Sequence, residues 1–350
     1  MKPTFVSGRK NLALTVMVPF DCPNNCPFCE SKKEYATNRP NLEAVLNTMK
    51  LFFEKNNTLD VPEVVITGGE PMANIPALRA ILNAIPSDKD IYINTTLTRH
   101  NFGAFVNLVN SYPQIKGINV SRHSTNYNDD CRLLHNIATD EAISFIQKPV
   151  RINCVIRDRS RQAFRDIIAR WDGTSVELSF RENFNTMTEK DLHNPYSHSL
   201  PFIATLPEYI DHTFCKVCDT TTFRTNKGMI VRYHKGLKNT FIPLGGNKYE
   251  INDIIIRQDG AIYCDWDFTN AHTLPPQLLY NATKDIMMRS RERMVEIATS
   301  ETPKQRIGGC GGYYVDLYSG GCGGSSYCAN ISSCGGYGGC GGGCISGGGC

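Results

Sequence analysis

The chain has 350 residues, a formal net charge of +3 and 20% charged residues. That balance is too mild to point to nucleic acid or a membrane surface, and no apolar run is long enough to span a bilayer. The start, Met1-Lys2-Pro3-Thr4, lacks the apolar core of a signal peptide, so a cytoplasmic, reducing location is expected and the 15 cysteines read as metal or redox ligands rather than disulfides.

Residues 11–18 read as a buried strand ending at Pro19, and a polar loop rich in Cys and Pro follows. Leu42, Val45, Leu46, Met49, Phe52 and Phe53 recur at helical spacing. A second strand over 62–67 ends at Gly68-Gly69, and Ile75, Leu78, Ile81, Leu82 and Ile85 mark a second helix. Strand 90–95 precedes a helix carrying Phe102, Phe105, Val106 and Val109. Strand 117–121, a helix near 140–147, strand 150–156, a helix over 161–170 and strand 175–180 complete the series. Six strands alternating with helices predict parallel βαβ units, and hence an α/β fold: a partial (β/α)6 TIM-like barrel or an open doubly wound sheet. In a barrel, ligands gather at the C-terminal ends of the strands.

Past residue 200 the pattern changes to short strands at 229–234, 250–257 and 261–266, with Asp259-Gly260 suited to a hairpin turn, then a surface helix over 283–298. The expected division is a core over 1–205, a small α+β extension over 206–300 and a low-complexity tail over 301–350. The tail holds 18 Gly and 7 Cys, and after Arg306 its only formal charge is Asp316, so it cannot build an ordinary core and is expected to be disordered.

Cys22, Cys26 and Cys29 lie within eight residues of one loop. Thiolates are soft ligands for iron–sulfur clusters or zinc. Three ligands, rather than four, leave one iron of a cubane open to a substrate or cofactor. A zinc knuckle with a distant fourth ligand is the competing reading.

The run Cys22-Pro23-Asn24-Asn25-Cys26-Pro27-Phe28-Cys29 resembles the C-x3-C-x2-C signature of the radical S-adenosylmethionine (SAM) superfamily, with Phe28 as its aromatic residue before the last Cys. Gly68-Gly69-Glu70-Pro71, after the second strand, resembles that superfamily's second motif. The resemblance covers roughly residues 11–181. It implies a [4Fe–4S] cluster on Cys22, Cys26 and Cys29 whose fourth iron chelates SAM. One-electron cleavage of SAM then gives methionine and a 5′-deoxyadenosyl radical, which abstracts a substrate hydrogen. It also implies an electron donor such as flavodoxin or ferredoxin.

By the same resemblance, Gly68, Gly69 and Pro71 shape the loop around the methionyl group and Glu70 accepts from its ammonium. Asn94 or Thr95 lines the SAM site, Ser121 is a ribose contact, Arg122 lies near the carboxylate, and Asn153 matches an Asn of molybdenum-cofactor-type members. Buried Asn and Ser side chains satisfying nearby backbone are the alternative. His123 and Arg181 either face substrate or are simply packed or exposed.

Cys215, Cys218 and Cys264 are candidate ligands of an auxiliary iron–sulfur cluster, although the fuller cysteine set of the peptide-modifying SPASM subgroup is absent from the sequence. A zinc site including His212 or His234, or a redox Cys pair, competes. Cys131 and Cys154 read as buried thiols. In the tail, Cys322, Cys328, Cys334 and Cys340 recur every six residues, as do Cys344 and Cys350, with Cys310 twelve before Cys322. A flexible tail, metal capture and a built-in thioether substrate are the three readings.

The function expected is hydrogen abstraction from a peptide, a protein or a small molecule. A nucleotide or cofactor-precursor substrate, activation of a glycyl-radical enzyme, and a non-catalytic Cys-rich metal-binding protein are the alternatives.

Overall fold

The computed structural model describes residues 4–7, 13–29, 39–55, 61–183, 208–214, 218–236, 241–246, 248–251, 253–263, 266 and 273–274. The expected helix over 283–298, the Gly/Cys tail, Cys215 and Cys264 lie outside the described residues.

The chain opens with strands β1 (Thr4–Ser7) and β2 (Ala13–Val18). Helix α1 (Leu42–Lys55), β3 (Glu63–Gly68) and a 3-10 turn at Pro71–Ala73 follow, then α2 (Ile75–Asn83), β4 (Asp90–Thr95), α3 (Phe102–Ser111) and β5 (Ile115–Ser121). Next come α4 (Tyr127–Leu133), a 3-10 turn at Glu141–Phe145, β6 (Val150–Val155), α5 (Arg161–Trp171) and β7 (Glu177–Arg181). The remaining strands are β8 (Glu208–Phe214), β9 (Cys218–Arg224), β10 (Ile230–Gly236), β11 (Phe241–Gly245), β12 (Lys248–Ile251), β13 (Asp253–Ile256), β14 (Ile262–Tyr263) and β15 (Thr273–Leu274).

Strands β2 to β7 pair in sequence order, every pair parallel, as the βαβ pattern predicted. This is the six-stranded unit of a partial TIM-like barrel. Its helix-side face carries Leu14, Ile66, Ile93, Val120, Ile152 and Phe180, which share one core with Met49 of α1, Leu78 of α2, Phe105 of α3 and Phe164 of α5. The stripe facing the sheet explains why those helices form where the apolar spacing is 3.6. Local caps fix their starts: the Asn74 side chain accepts from Ala77 N, and that of Ser160 from Ala163 N.

The extension continues the same sheet at both edges. Strand β13 runs parallel beside β2, with Ile254 opposite Leu14, and β10 runs parallel beside β7, with Arg232 opposite Ser179. The hairpin expected at Asp259-Gly260 joins β13 to β14. Gly260 has φ +83°, and a Cβ there would lie 2.7 Å from the Ala44 carbonyl carbon, so the turn beds directly on α1. Thr48 Oγ1 donates to Gly260 O at 2.7 Å, closing that contact.

Beyond residue 200 the strands β8, β9 and β11 were not expected, and the strand expected over 250–257 is divided between β12 and β13. Within the six-stranded unit two elements differ from expectation. Helix α4 has no apolar stripe, and Asp130 is its buried residue; its visible signal is the Asn126 cap, which accepts from Asp129 N. The helix expected near 140–147 is only the 3-10 turn at Glu141–Phe145, because Gln147, Lys148 and Pro149 lead straight into β6.

Candidate functional site

The loop leaving β2 carries Cys22, Cys26 and Cys29 as half-buried thiols. Cys29 N donates to Cys26 O at 3.2 Å, a turn that holds those two residues together. Burial pushes the Cys22 thiol above its ordinary value; Glu70 and Cys29 add to the rise, and hydrogen bonds from Asn24 oppose it. Metal binding at this loop therefore releases a proton. Among the described residues, no three Cys, His, Asp or Glu side chains surround a point suited to a single metal ion. A cubane takes each thiolate on a different iron, so its ligands stand wider apart than the four of a zinc tetrahedron. Three soft, half-exposed thiols in one short loop fit the cluster by their chemistry and number.

The Gly-Gly-Glu-Pro loop leaves β3 directly beside this one. Strand β2 pairs with β3 up to Val18 opposite Gly68, whose φ is +108°. A Cβ on Gly69 would stand 2.2 Å from Phe20 O and 3.2 Å from the Asp21 carbonyl carbon, so only glycine lets the two loops meet. Glu70 is buried and Pro71 starts the 3-10 turn behind it. Glu70 Oε1 accepts from Met72 N at 3.0 Å and Thr95 Oγ1 at 2.5 Å, and Oε2 from Thr96 N at 2.7 Å and Thr96 Oγ1 at 2.6 Å. Four protein donors thus fill the carboxylate's acceptor positions. In this state Glu70 ties the loop after β3 to the end of β4.

Arg122 and His123 follow the end of β5. The guanidinium is fully buried: Nη1 donates to Thr96 O and Ser121 O, Nη2 to Ala138 O, and Nε lies 3.4 Å from Asp140 Oδ1. Its partners here are thus all protein atoms; side chains alternate along a strand, so where Ser121 is on the open face Arg122 is on the helix side. His123 is buried and neutral, its titration pushed down to about 3 by burial, with Arg122 and Arg157 adding to the effect. Its Nδ1 accepts from Val155 N at 3.1 Å. Phe28 meets the imidazole edge to face, with ring centroids 4.7 Å apart. The aromatic residue of the cysteine loop is therefore seated on the end of β5. On His123's side lies a cavity of about 470 Å³, lined also by Ser124, Arg157, Asp158, Leu133 and Ile167.

On the sheet face opposite the helices, Asn94, Asn119 and Arg151 are register neighbours on β4, β5 and β6, and Ser121 pairs with Asn153. Asn94 Nδ2 donates to Thr67 Oγ1 at 3.0 Å. Among the described residues, Asn94 Oδ1, Asn119 Nδ2 and Asn153 Oδ1 are buried without a hydrogen-bond partner, which leaves polar atoms on this face to be satisfied by water or a ligand. Beneath them Glu177 Oε2 accepts from Arg151 Nη2 at 3.0 Å and Arg232 Nη1 at 2.5 Å. Burial opposes the Glu177 charge, but the two guanidinium groups hold its carboxyl below the ordinary range.

Thr95 spends its hydroxyl on Glu70. Arg181 ends β7 level with His234 of β10. His234 is buried, with Nδ1 3.0 Å from Thr220 Oγ1. His212 sits in β8 and Cys218 opens β9. Cys154 is buried as expected, but Cys131 is exposed, because α4 turns only Asp130 inward. Three residues join the site unforeseen: Asn24, Thr96 and Asn119. Asn24 lay within the quoted motif, yet a motif names its cysteines and leaves the spacer blank; Thr96 and Asn119 carried no spacing signal.

No protein-family profile matches the sequence, and no curated protein matches it. Among solved structures, the chain is similar in fold to Streptococcus suis SuiB bound to S-adenosylmethionine, at TM-score 0.50 and 14% identity over 84% of this chain and 67% of that one. It is similar also to anSMEcpe with bound AdoMet and the Kp18Cys peptide, at TM-score 0.50 and 13% identity over 78% of this chain and 80% of that one. The fold is thus the one on which these proteins bind SAM.

Proposed function

We propose that this chain is a radical SAM enzyme that acts on a peptide or protein. The observation that carries the reading is the joining of the two loops: the three-thiol loop after β2 and the Gly-Gly-Glu-Pro loop after β3 interlock at Gly69 and Phe20. Cys22, Cys26 and Cys29 would hold three irons of a [4Fe–4S] cluster. When bound, the cluster and SAM supply a carbon-centred radical that removes a hydrogen atom from substrate.

The chain's own residues bind and orient. Gly68 and Gly69, lacking side chains, would let the methionyl end of SAM approach the backbone closely, and Glu70 keeps that loop in shape through Thr95 and Thr96. A direct contact of Glu70 with the SAM ammonium requires release of one of its present donors. Phe28 and His123 form a wall between the cysteine loop and a cavity of a size suited to a nucleoside. Asn94, Asn119, Ser121 and Asn153 offer polar atoms to ligands on the open sheet face. Residues 1–205 would form the core; Cys215, Cys218 and Cys264 are the proposed auxiliary ligands within 206–300. A peptide substrate is favoured because the structurally similar anSMEcpe is one seen with a peptide bound.

The test is anaerobic reconstitution with iron and sulfide, then incubation with SAM and dithionite. The expected results are a cubane absorption spectrum and 5′-deoxyadenosine, both lost in Cys22→Ala, Cys26→Ala and Cys29→Ala. Zinc in the loop of the wild-type protein, with no iron uptake, overturns the reading; iron uptake without SAM cleavage leaves only a metal-binding protein.

A further inference from the structure

Asn24 lies in the spacer between Cys22 and Cys26, and its side-chain amide reaches three separate parts of the chain. Nδ2 is 3.5 Å from Cys22 Sγ and 3.1 Å from Thr96 Oγ1, while Oδ1 accepts from His135 N at 2.5 Å. The surroundings fix which way the amide faces. Thr96 has one hydroxyl proton, and Glu70 Oε2 takes it at 2.6 Å, so the Thr96 oxygen accepts from Asn24. The His135 N–H points at the same amide and takes Oδ1 as its acceptor. A flipped amide would set donor against donor at His135, and at Thr96 would leave the hydroxyl oxygen without its donor. The two Nδ2 protons are therefore committed, one to Thr96 and one toward the sulfur of Cys22.

The result is a directed chain. It runs from His135 after α4, through Asn24, to the Cys22 sulfur on one branch and to Thr96 and Glu70 on the other. Nothing in the cysteine spacing requires this. The neighbouring Asn25, the same residue type in the same spacer, is exposed.

We infer that Asn24 is a positioning residue for the metal centre: it sets the orientation of Cys22 and, through its N–H to that sulfur, raises the reduction potential of the cluster bound there. The inference rests on the cluster proposed above. A hydrogen bond to a ligating sulfur draws electron density from it and favours the reduced cluster, which carries one more negative charge. The buried Glu70 carboxylate, two hydrogen bonds from Asn24 through Thr96, acts in the opposite direction, so Asn24 offsets a charge that the fold places near the centre.

The experiment compares the reconstituted full-length wild type with Asn24→Leu, Asn24→Asp and, as a control, Asn25→Leu. Iron and sulfide per chain are measured first, and the reduction potential is then read by titration followed by electron paramagnetic resonance. Asn24→Leu removes both donors at similar size. Asn24→Asp keeps the acceptor for His135 and loses the donor to sulfur. The expected result is wild-type iron content and a lower potential in both Asn24 variants, with no shift in Asn25→Leu. Unshifted potentials at full iron content overturn the inference and leave the radical SAM reading intact. Loss of iron from both variants while they keep a wild-type circular dichroism spectrum also overturns the tuning role, since it assigns Asn24 to assembly alone. A wild-type chain that takes up no cluster overturns the reading beneath it.

Discussion

Gly69 stands against Phe20 so closely that a side-chain carbon at Gly69 would lie 2.2 Å from the Phe20 carbonyl oxygen. The Phe20 oxygen belongs to backbone, so it cannot swing aside as a flexible side chain would. Gly69→Ala is expected to push the two loops apart, at a cost of about 1–3 kcal/mol. Iron retained per chain after reconstitution, and the thermal midpoint, should both fall. An alanine variant with wild-type values of both would show that the loops are not interlocked.

Glu70 tests a different part of the same joint. Glu70→Ala leaves the donors of Met72, Thr95 and Thr96 facing a buried void, and is expected to destabilise the chain by at least about 2 kcal/mol. Glu70→Gln keeps the shape but turns one acceptor end into a donor, so it should cost less than alanine and more than nothing. Urea unfolding midpoints of the three proteins give the order.

Glu177 joins Arg151 and Arg232 on the open face of the sheet. Glu177→Ala removes the shared carboxylate and leaves two largely buried guanidinium groups facing each other. A loss of about 3–5 kcal/mol is expected. In wild type the paired carboxylate also adds stability at any pH above its ordinary value of 4.5, and this contribution disappears as pH falls through its lower folded value. The variant should therefore show less loss of stability on acidification than wild type below 4.5.

His123 predicts acid sensitivity in a higher window. Its ordinary value is 6.5 and its folded value about 3, so between them the unfolded chain binds a proton there and the folded chain does not. Stability falls as pH drops through that window, by at most about 1.4 kcal/mol for each pH unit from this group. His123→Gln keeps an acceptor for Val155 N and removes the titration. The difference in unfolding free energy between wild type and variant should shrink steadily from pH 7 to pH 4; a constant difference would mean that the imidazole is not buried neutral.

Much of the fold was legible because its signals are local. Ala13, Leu14, Val16, Met17 and Val18, and likewise Val64, Val65 and Ile66, form nearly continuous apolar runs that are buried on both faces, and strands of that kind have few places to go but the middle of a parallel sheet. The helix stripes of α1, α2, α3 and α5 were visible for the same reason. Helix α4 was not, since its residues are polar and only its cap shows in the sequence. Nor were the three backbone carbonyl partners of Arg122, which no spacing along the chain announces.

The order of residues alone determined the parallel unit, the three-thiol loop after its first strand and the glycine loop after its second, because apolar period and motif spacing are properties of neighbours along the chain. The tertiary structure decided what those loops touch. It set Gly69 against Phe20, Phe28 on His123, and Asn24 between Cys22, Thr96 and His135. It also placed β13 and β10 on the two edges of the core sheet. Each of these joins residues far apart in the chain, where only packing and the need of every buried polar group for a partner select the pairing.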